Sequence, residues 1–179
     1  MSNVEQPKYK VLRSKGNIEL REYEPVIIAE VEVSGERKEA IRQGFKLLAD
    51  FIFGNNVSKK KMQMTAPVMQ EKYMCKWKVR FVMPITYSLE RLPKPNSKEV
   101  SLIPVPANHF AVIRFSGLAD DASIKQNTQE LEGYIFSDNL KMIGKPILAF
   151  YNPPWTIPFL RRNEVMIEVD VNHTHYSGS

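Results

Sequence analysis

The chain has 179 residues, 43% of them hydrophobic and 25% charged, which is the composition of a globular protein with enough apolar mass for a core. No apolar run approaches the roughly 18 residues that a membrane-spanning helix needs, and we expect no secretory signal because the N-terminus lacks an apolar segment. The net charge of +5 is too diffuse to indicate nucleic-acid binding, and the single cysteine, Cys75, excludes an intramolecular disulfide and favours a cytoplasmic location.

The first half of the chain predicts strands with one polar face and one long helix. Apolar and polar residues alternate over 26–33 and 77–83, the period of an antiparallel strand that covers a core on one side. The helix is predicted over 36–53. Its core stripe is predicted to consist of Ile41, Phe45, Leu48 and Ile52.

This helix has more apolar surface than a core stripe requires. Arg42, Phe45, Ala49 and Phe53 extend the stripe to one side, with a guanidinium among apolar neighbours. One interpretation is that the flank packs beneath a loop while Arg42 reaches solvent. The other is that it forms a wall of a small-molecule pocket, which combines apolar surface with a few placed polar groups.

Two connecting segments follow. The basic run Lys59-Lys60-Lys61 is predicted as a solvated loop, because no base-stacking or groove-reading motif accompanies it. Residues 86–108, rich in proline, are predicted to link two halves of the chain.

The second half repeats the first. Residues 29–35 align with 111–117 at an offset of 82, and residues 51–53 align with 134–136 at an offset of 83. A nearly constant offset is the signature of an internal repeat. We therefore predict two halves with the same order of elements.

The second helix is predicted over 120–141 and a last strand over 163–171. The apolar residues of this helix are mainly Ile124, Leu131 and Ile135, and its flanks are polar. The predicted fold class is α+β: two β-α-β-β halves form one antiparallel sheet, strongly curved or closed into a barrel, with both helices outside.

Residues 152–165, NPPWTIPFLRRNEV, form a stiff loop with an apolar middle and a cationic end. Arg161 or Arg162 either contacts an anionic ligand or pairs with Glu164 or Glu168, and both interpretations remain open. The apolar side chains of the loop are predicted to roof an apolar slot: Trp155, Ile157 and Phe159.

Five segments carry a family resemblance: IELREYEP (18–25), GFKLLADFIFGNN (44–56), MTAPV (64–68), FVMP (81–84) and PFLRRNEV (158–165). In combination they resemble the SOUL haem-binding protein family over about residues 8–170. The resemblance implies a distorted antiparallel β-barrel from two pseudo-symmetric β-α-β-β halves with two flanking helices. It implies one domain over 1–179, with halves at about 9–85 and 100–171 and a tail at 172–179.

The resemblance also implies non-covalent binding of haem or metal-free protoporphyrin, as a buffer, carrier or scavenger. A porphyrin is a flat hydrophobe with two carboxylates, and arginine suits bidentate contact with a carboxylate. Asp50 departs from the basic residue that the family often carries there, and we expect it to oppose a nearby propionate. The ligand-binding residues expected by position are Arg42, Phe45, Ala49 and Phe53 on the helix and Trp155 and Phe159 in the loop.

No axial iron ligand is identified from the sequence. His109 is predicted to lie in a turn, and His173 and His175 in a mobile tail. Met62 and Met64 are interpreted as core or turn residues. We therefore expect binding to depend on the macrocycle and its carboxylates more than on the iron.

No catalytic motif is present, so we expect no enzymatic activity and name no catalytic residue. Glu164 and Glu168 are interpreted as solvated residues on an exposed strand face. Two alternatives stay open: a protein-interaction module that uses the Trp155/Phe159 loop, and a small-molecule hydrolase on the same architecture. The expected partner is a tetrapyrrole, with no nucleic acid and no membrane; a protein partner is unknown and a monomer is expected.

Overall fold

A computed structural model describes residues 4–153 and 155–172. The elements, in chain order, are β1 (Tyr9–Lys15), β2 (Ile18–Tyr23), β3 (Val26–Ser34), α1 (Arg37–Ile52), β4 (Val68–Tyr73), β5 (Lys76–Val82), β6 (Ser101–Val105), β7 (Asn108–Phe115), α2 (Asp121–Ser137), β8 (Lys141–Met142), β9 (Ile147–Phe150), the 3-10 helix η1 (Pro158–Leu160) and β10 (Asn163–Asp170). The α+β class is confirmed, and the strand pairs β1–β2, β2–β7, β7–β10, β8–β10, β9–β10, β3–β5, β3–β6 and β4–β5 are antiparallel. None of the helices in this part of the chain is long and apolar enough to cross a membrane.

The elements divide into two compact units. Among the described residues, the first unit contains 4–8 and Glu24–Ala107, and the second contains Tyr9–Tyr23, 108–153 and 155–172. The prediction of a single domain over the whole chain stays a prediction.

In the first unit the strand order is β4-β5-β3-β6, with α1 packed on β3 and β5. The alternation predicted for β5 places Val79 and Phe81 in the core with Leu48 of α1. The polar face of β5 is not fully exposed to solvent, because Arg80 is largely buried and its Nε donates to Glu30 Oε2 at 2.6 Å. Met62 is buried in the same core, as predicted.

The buried face of α1 differs from the predicted stripe. Ile41 is only half-buried and Phe45 is 42% exposed, whereas Gly44 is buried against β5. A Cβ built on Gly44 would lie 2.5 Å from Cγ2 of Val79, so this glycine permits a close approach of helix and strand. Because Gly44 faces β5, Phe45 lies at the margin of the buried face of the helix. The residues buried in α1 are Ala40, Gly44, Leu48, Phe51 and Ile52.

The linker prediction for residues 86–108 is wrong in part, because β6 lies within it and pairs with β3. The alternation of β6 is short and contains Pro104, which cannot donate a ladder hydrogen bond. Such a proline is tolerated in a strand at the end of a sheet, and β6 ends the sheet of the first unit.

In the second unit the strand order is β1-β2-β7-β10-β9, and β8 pairs with β10. Helix α2 packs on β7 and β10 through the buried residues Leu131 and Ile135, as its apolar pattern predicts. The helix begins after Asp120, whose Oδ1 accepts a hydrogen bond from the Ser123 amide at 2.8 Å. This is the usual way to satisfy an unpaired amide at a helix start.

The two units share one order of elements. Apart from the two-residue strand β8, each has a strand, a helix and two further strands, and the last strand lies between the other two: β5 between β3 and β4, and β10 between β7 and β9. The first strand of each motif is followed by a glycine with positive φ, Gly35 at +108° and Gly117 at +92°. This common order agrees with the repeat. Duplication and closure into a barrel stay predictions.

Candidate functional site

The first candidate surface is the outer flank of α1, formed by Arg42, Phe45, Ala49 and Phe53. The side chain of Arg42 is 78% exposed, and its Nη1 lies 3.5 Å from the Glu39 carboxylate. Phe45 and Phe53 are both exposed, and Ala49 is half-buried. An aromatic surface with a cation at one end therefore faces solvent, which does not agree with packing beneath a loop.

Phe45 of this flank packs against the core of the first unit. The ring of Phe45 packs edge-on against buried Phe81 at a centroid distance of 5.4 Å, so Phe45 presents part of its ring from a fixed position. Asp50 is exposed and accepts a hydrogen bond from the Asn55 side chain. Asp50, the acid expected to oppose a propionate, therefore has a hydrogen-bond donor beside it.

The second candidate surface is the loop of residues 152–162. Trp155 is 83% and Phe159 73% exposed, and Ile157 is also exposed. The base of the loop is closed where the Tyr151 amide donates to the Arg162 carbonyl at 3.2 Å. Pro154 lies outside the described residues.

A cleft of about 810 Å³ lies beside this loop within the second unit; we call it the α2 cleft. Phe159 and Arg161 of the loop line it, but Trp155 and Ile157 do not. The lining that the sequence did not indicate comes from the ends of other elements: Asn17, Arg114, Phe115 and Asn127. The lining is mixed: it combines an apolar wall with two arginines and several polar groups.

A buried polar cluster, which we call the Glu164 network, lies in the second unit. Arg21 binds Glu164 through two hydrogen bonds, Nη1–Oε1 at 2.9 Å and Nη2–Oε2 at 2.8 Å. Arg162 Nη2 donates to Glu164 Oε2 at 3.1 Å, and the Tyr151 hydroxyl donates to Oε1 at 2.8 Å. Arg21 Nη1 also donates to the Tyr23 hydroxyl at 2.9 Å. The side chain of Glu164 is 0% exposed, so its charge is balanced entirely by protein groups.

These contacts shift the pKa of each member of the network. Burial raises the pKa of Glu164, but the hydrogen bond and charge of Arg21, with Arg162, outweigh it, and the pKa lies below its usual value. Burial lowers the pKa of Arg21, and the bonds to Glu164 and Tyr23 reverse that effect. Burial raises the pKa of Tyr23 to about 12, and burial followed by the Glu164 charge raises the pKa of Tyr151. Hence the carboxylate stays ionised and both phenols stay protonated at neutral pH.

The interpretation of Glu164 as a solvated strand residue is wrong. Of the two possibilities for the adjacent arginines, pairing with Glu164 is confirmed for Arg162, whereas Arg161 Nε donates to the Thr156 carbonyl at 2.8 Å. Arg21 was missed because it occupies a polar position in an alternating strand, and alternation does not show whether that face is covered. The partner of Arg21 is 143 residues away.

Of the three histidines, His109 lies within the described residues. His109 lies in β7 rather than in a turn, with its Nε2 3.8 Å from the Glu22 carboxylate. His173 and His175 lie outside the described residues. Across 4–153 and 155–172, no group of three or more His, Cys, Asp or Glu residues is placed to hold a metal ion.

Comparison with known proteins gives a family and a fold. A family model described as SOUL heme-binding protein matches residues 4–168. No curated protein matches the chain in sequence. The C-terminal domain of EcmrR has a TM-score of 0.66 at 13% identity, covering 90% of this chain and 98% of its own. A hydrolase from Listeria innocua has a TM-score of 0.63 at 11% identity, covering 89% and 94%. At such identities these structures show a shared fold alone.

Proposed function

Because the chain belongs to the SOUL heme-binding protein family, whose model spans residues 4–168, we propose that it binds haem or metal-free protoporphyrin non-covalently and acts as a buffer, carrier or scavenger. Family membership is the observation that carries this proposal. The aromatic and cationic surface of α1 supports it, since a tetrapyrrole has a broad apolar face and two carboxylates at one edge.

Arg42 is the proposed partner of a propionate, and Phe45, Ala49 and Phe53 the proposed contacts of the macrocycle. Covering about 200 Å² of apolar ring surface contributes on the order of 5 kcal/mol before entropic costs. This magnitude is compatible with micromolar binding once the charge-assisted contact of Arg42 is added.

Trp155 and Phe159 are the proposed contacts on the second candidate surface. Both are large, rigid and mostly exposed, and covering such side chains favours binding. Arg162 is not proposed as a ligand contact, because it is engaged by Glu164. We also propose that the two similar units arose by duplication and form one barrel-like domain.

The test is a titration of haem and of metal-free protoporphyrin IX, followed by the Soret band and tryptophan quenching. We expect saturation at micromolar ligand and similar affinities for both, because no axial ligand is proposed. Arg42→Glu should weaken both ligands about tenfold, which is about 1.4 kcal/mol. The matched control is Lys125→Glu, an exposed cation 83 residues later at the repeat offset on α2, and it should leave both affinities unchanged.

Absence of a saturable change with either ligand would contradict tetrapyrrole binding. The exposure of Trp155 favours the second candidate function, a protein-interaction module, and that function would then be preferred. The structure gives no support to the hydrolase alternative through Glu164, because both of its oxygens are held by Arg21 and it cannot act as a free base.

A further inference from the structure

We propose that the α2 cleft is a second ligand site, and that its ligand is a small apolar acid: a ring system or short chain with one carboxylate or sulfonate. The cleft contains none of the proposed tetrapyrrole contacts on α1, but it shares Phe159 with those proposed for the loop. Four properties of the cleft, described below, lead to this ligand class.

The first property is an available cation. Arg114 is exposed at the end of β7 and lines the cleft. In the described parts of the chain its guanidinium makes no hydrogen bond or ion pair. The acid that lines the cleft, Glu19, accepts a hydrogen bond from Arg21 Nε at 2.8 Å, so its charge is already offset. An anionic group beside Arg114 therefore gains a charge-assisted partner.

The second property is uncovered apolar surface. Phe159 and Leu160 are 73% and 60% exposed although they form a wall of the cleft, and Phe115 is half-buried beside them. A ring placed against this wall would remove apolar area from water on both partners. The ligand must therefore have an apolar body in addition to its charge.

The third property is a preformed frame around the end of β7. The Arg114 amide donates to the Asn17 carbonyl at 3.0 Å, and Asn17 Nδ2 donates to the Arg114 carbonyl at 2.9 Å. The Gly117 amide donates to the Pro158 carbonyl at 2.8 Å, and the Gly117 carbonyl accepts from Asn163 Nδ2 at 2.9 Å. These bonds hold the β1–β2 turn and η1 on β7, so binding requires little ordering of the chain.

The fourth property limits the charge of the ligand. The Ser123 amide at the start of α2 is already capped by Asp120, so this amide is not free for an anion. The Nε of Arg161 already donates a hydrogen bond to the Thr156 carbonyl. Recognition thus depends mainly on Arg114, which suits a single carboxylate or sulfonate better than a polyphosphate. A volume of about 810 Å³ accommodates two fused rings.

The experiment is calorimetric titration with 2-naphthoate and with its neutral analogue 2-naphthamide. We expect saturable binding of 2-naphthoate and binding of 2-naphthamide that is at least about fivefold weaker. Arg114→Glu should weaken 2-naphthoate about tenfold or more, through loss of a charge-assisted contact, and Phe159→Ala should weaken both probes. The control Lys145→Glu makes the same charge change at an exposed position of the second unit outside the cleft lining, and it should change affinity less than about twofold.

Three results would overturn the site: no saturable binding of 2-naphthoate, equal affinity for the two probes, or unchanged affinity in Arg114→Glu. Arg114→Gln replaces that variant if its melting temperature falls. Because the probes are titrated without tetrapyrrole, failure of either proposal leaves the other to its own test.

Discussion

At the scale of single residues, Glu164 is a buried carboxylate held between two guanidinium groups. Each guanidinium also stacks on a tyrosine ring, Arg21 over Tyr9 at 4.2 Å and Arg162 over Tyr151 at 4.0 Å. Removing one partner from such a group leaves buried charge without compensation, which is more costly than never burying the pair. The network therefore ties β2 and the end of the 152–162 loop to β10.

The change Glu164→Gln tests this role. It leaves Arg21 and Arg162 without their carboxylate, and we expect the free energy of unfolding to fall by about 3–5 kcal/mol in urea denaturation at pH 7. The matched control is Glu168→Gln, on the same strand face but half-buried, with an expected change of about 0.5 kcal/mol or less. Equal stability of the two variants would contradict the role assigned to the network.

The lowered pKa of Glu164 sets the pH dependence of the same comparison. A carboxyl whose pKa is lower in the folded protein contributes stability that is fully present above its unfolded pKa, roughly 4.3, and is lost as the pH falls through the folded value. The difference in melting temperature between the wild-type protein and Glu164→Gln should therefore be constant from neutral pH to about 5 and shrink below about 4. A difference that grows on acidification would show the opposite linkage.

At the scale of elements, helices α1 and α2 differ in how they pack on their strands and in the residues on their outer flanks. Helix α1 approaches β5 closely through Gly44 and keeps an apolar outer flank, whereas α2 has polar flanks. At the repeat offset of 83, Phe45 corresponds to Thr128 and Ala49 to Glu132. The positions of Phe45 and Ala49 are thus polar in α2, although Phe136, at the position of Phe53, is 85% exposed. This difference is why we propose the tetrapyrrole contacts on α1.

Gly44→Ala tests the close approach. The new methyl would lie 2.5 Å from Cγ2 and 2.6 Å from Cβ of Val79, and overpacking of this kind costs about 1–3 kcal/mol, more than the roughly 1 kcal/mol gained in helix propensity. We expect the variant to be less stable than the wild type in thermal denaturation. Gly133→Ala on α2 is the control, because a Cβ there meets nothing within 4 Å, and it should be neutral or stabilising. A Gly44→Ala protein as stable as Gly133→Ala would mean that α1 does not need its glycine.

Sequence periodicity accounts for the existence of these elements but not for every contact. The alternation over 26–33 and 77–83 predicted β3 and β5 within two residues, because one face of each strand is consistently apolar. The buried face of α1 differs from the predicted one because hydrophobicity ranks Phe45 above Gly44. The space beside Val79, however, has no room for a Cβ, so only a glycine fits there. The strand β6 was missed because Pro104 within it and Pro106 directly after it are typical of a loop in a local sequence pattern.

At the scale of the whole molecule, the net charge of +5 has a kinetic consequence for an anionic ligand. An excess of positive charge raises the encounter rate with a dianion, and salt screens the attraction: the Debye length falls from about 30 Å at 0.01 M to about 10 Å at 0.1 M. The charge is distributed over the chain rather than concentrated in one motif. The net charge therefore affects the association rate rather than the strength of any single contact.

We therefore expect the association rate of protoporphyrin IX, measured by stopped-flow tryptophan quenching, to fall about threefold or more between about 10 mM and about 200 mM salt. The neutral dimethyl ester of the same ring is the control and should show no such dependence. A salt effect of equal size for both rings would assign it to solubility or stacking of the ligand instead of the charge of the protein.

The sequence by itself determined the α+β class, both helices and the family, since these depend on periodicity and on short motifs that lie within one segment. Tertiary structure alone decided that Glu164 is buried, that α1 packs through Gly44, and that Arg114 and Phe159 share a cleft. The reason is physical: burial, close packing and charge compensation are properties of groups brought together from distant positions, and a residue's own neighbours along the chain do not specify which partner will cover it.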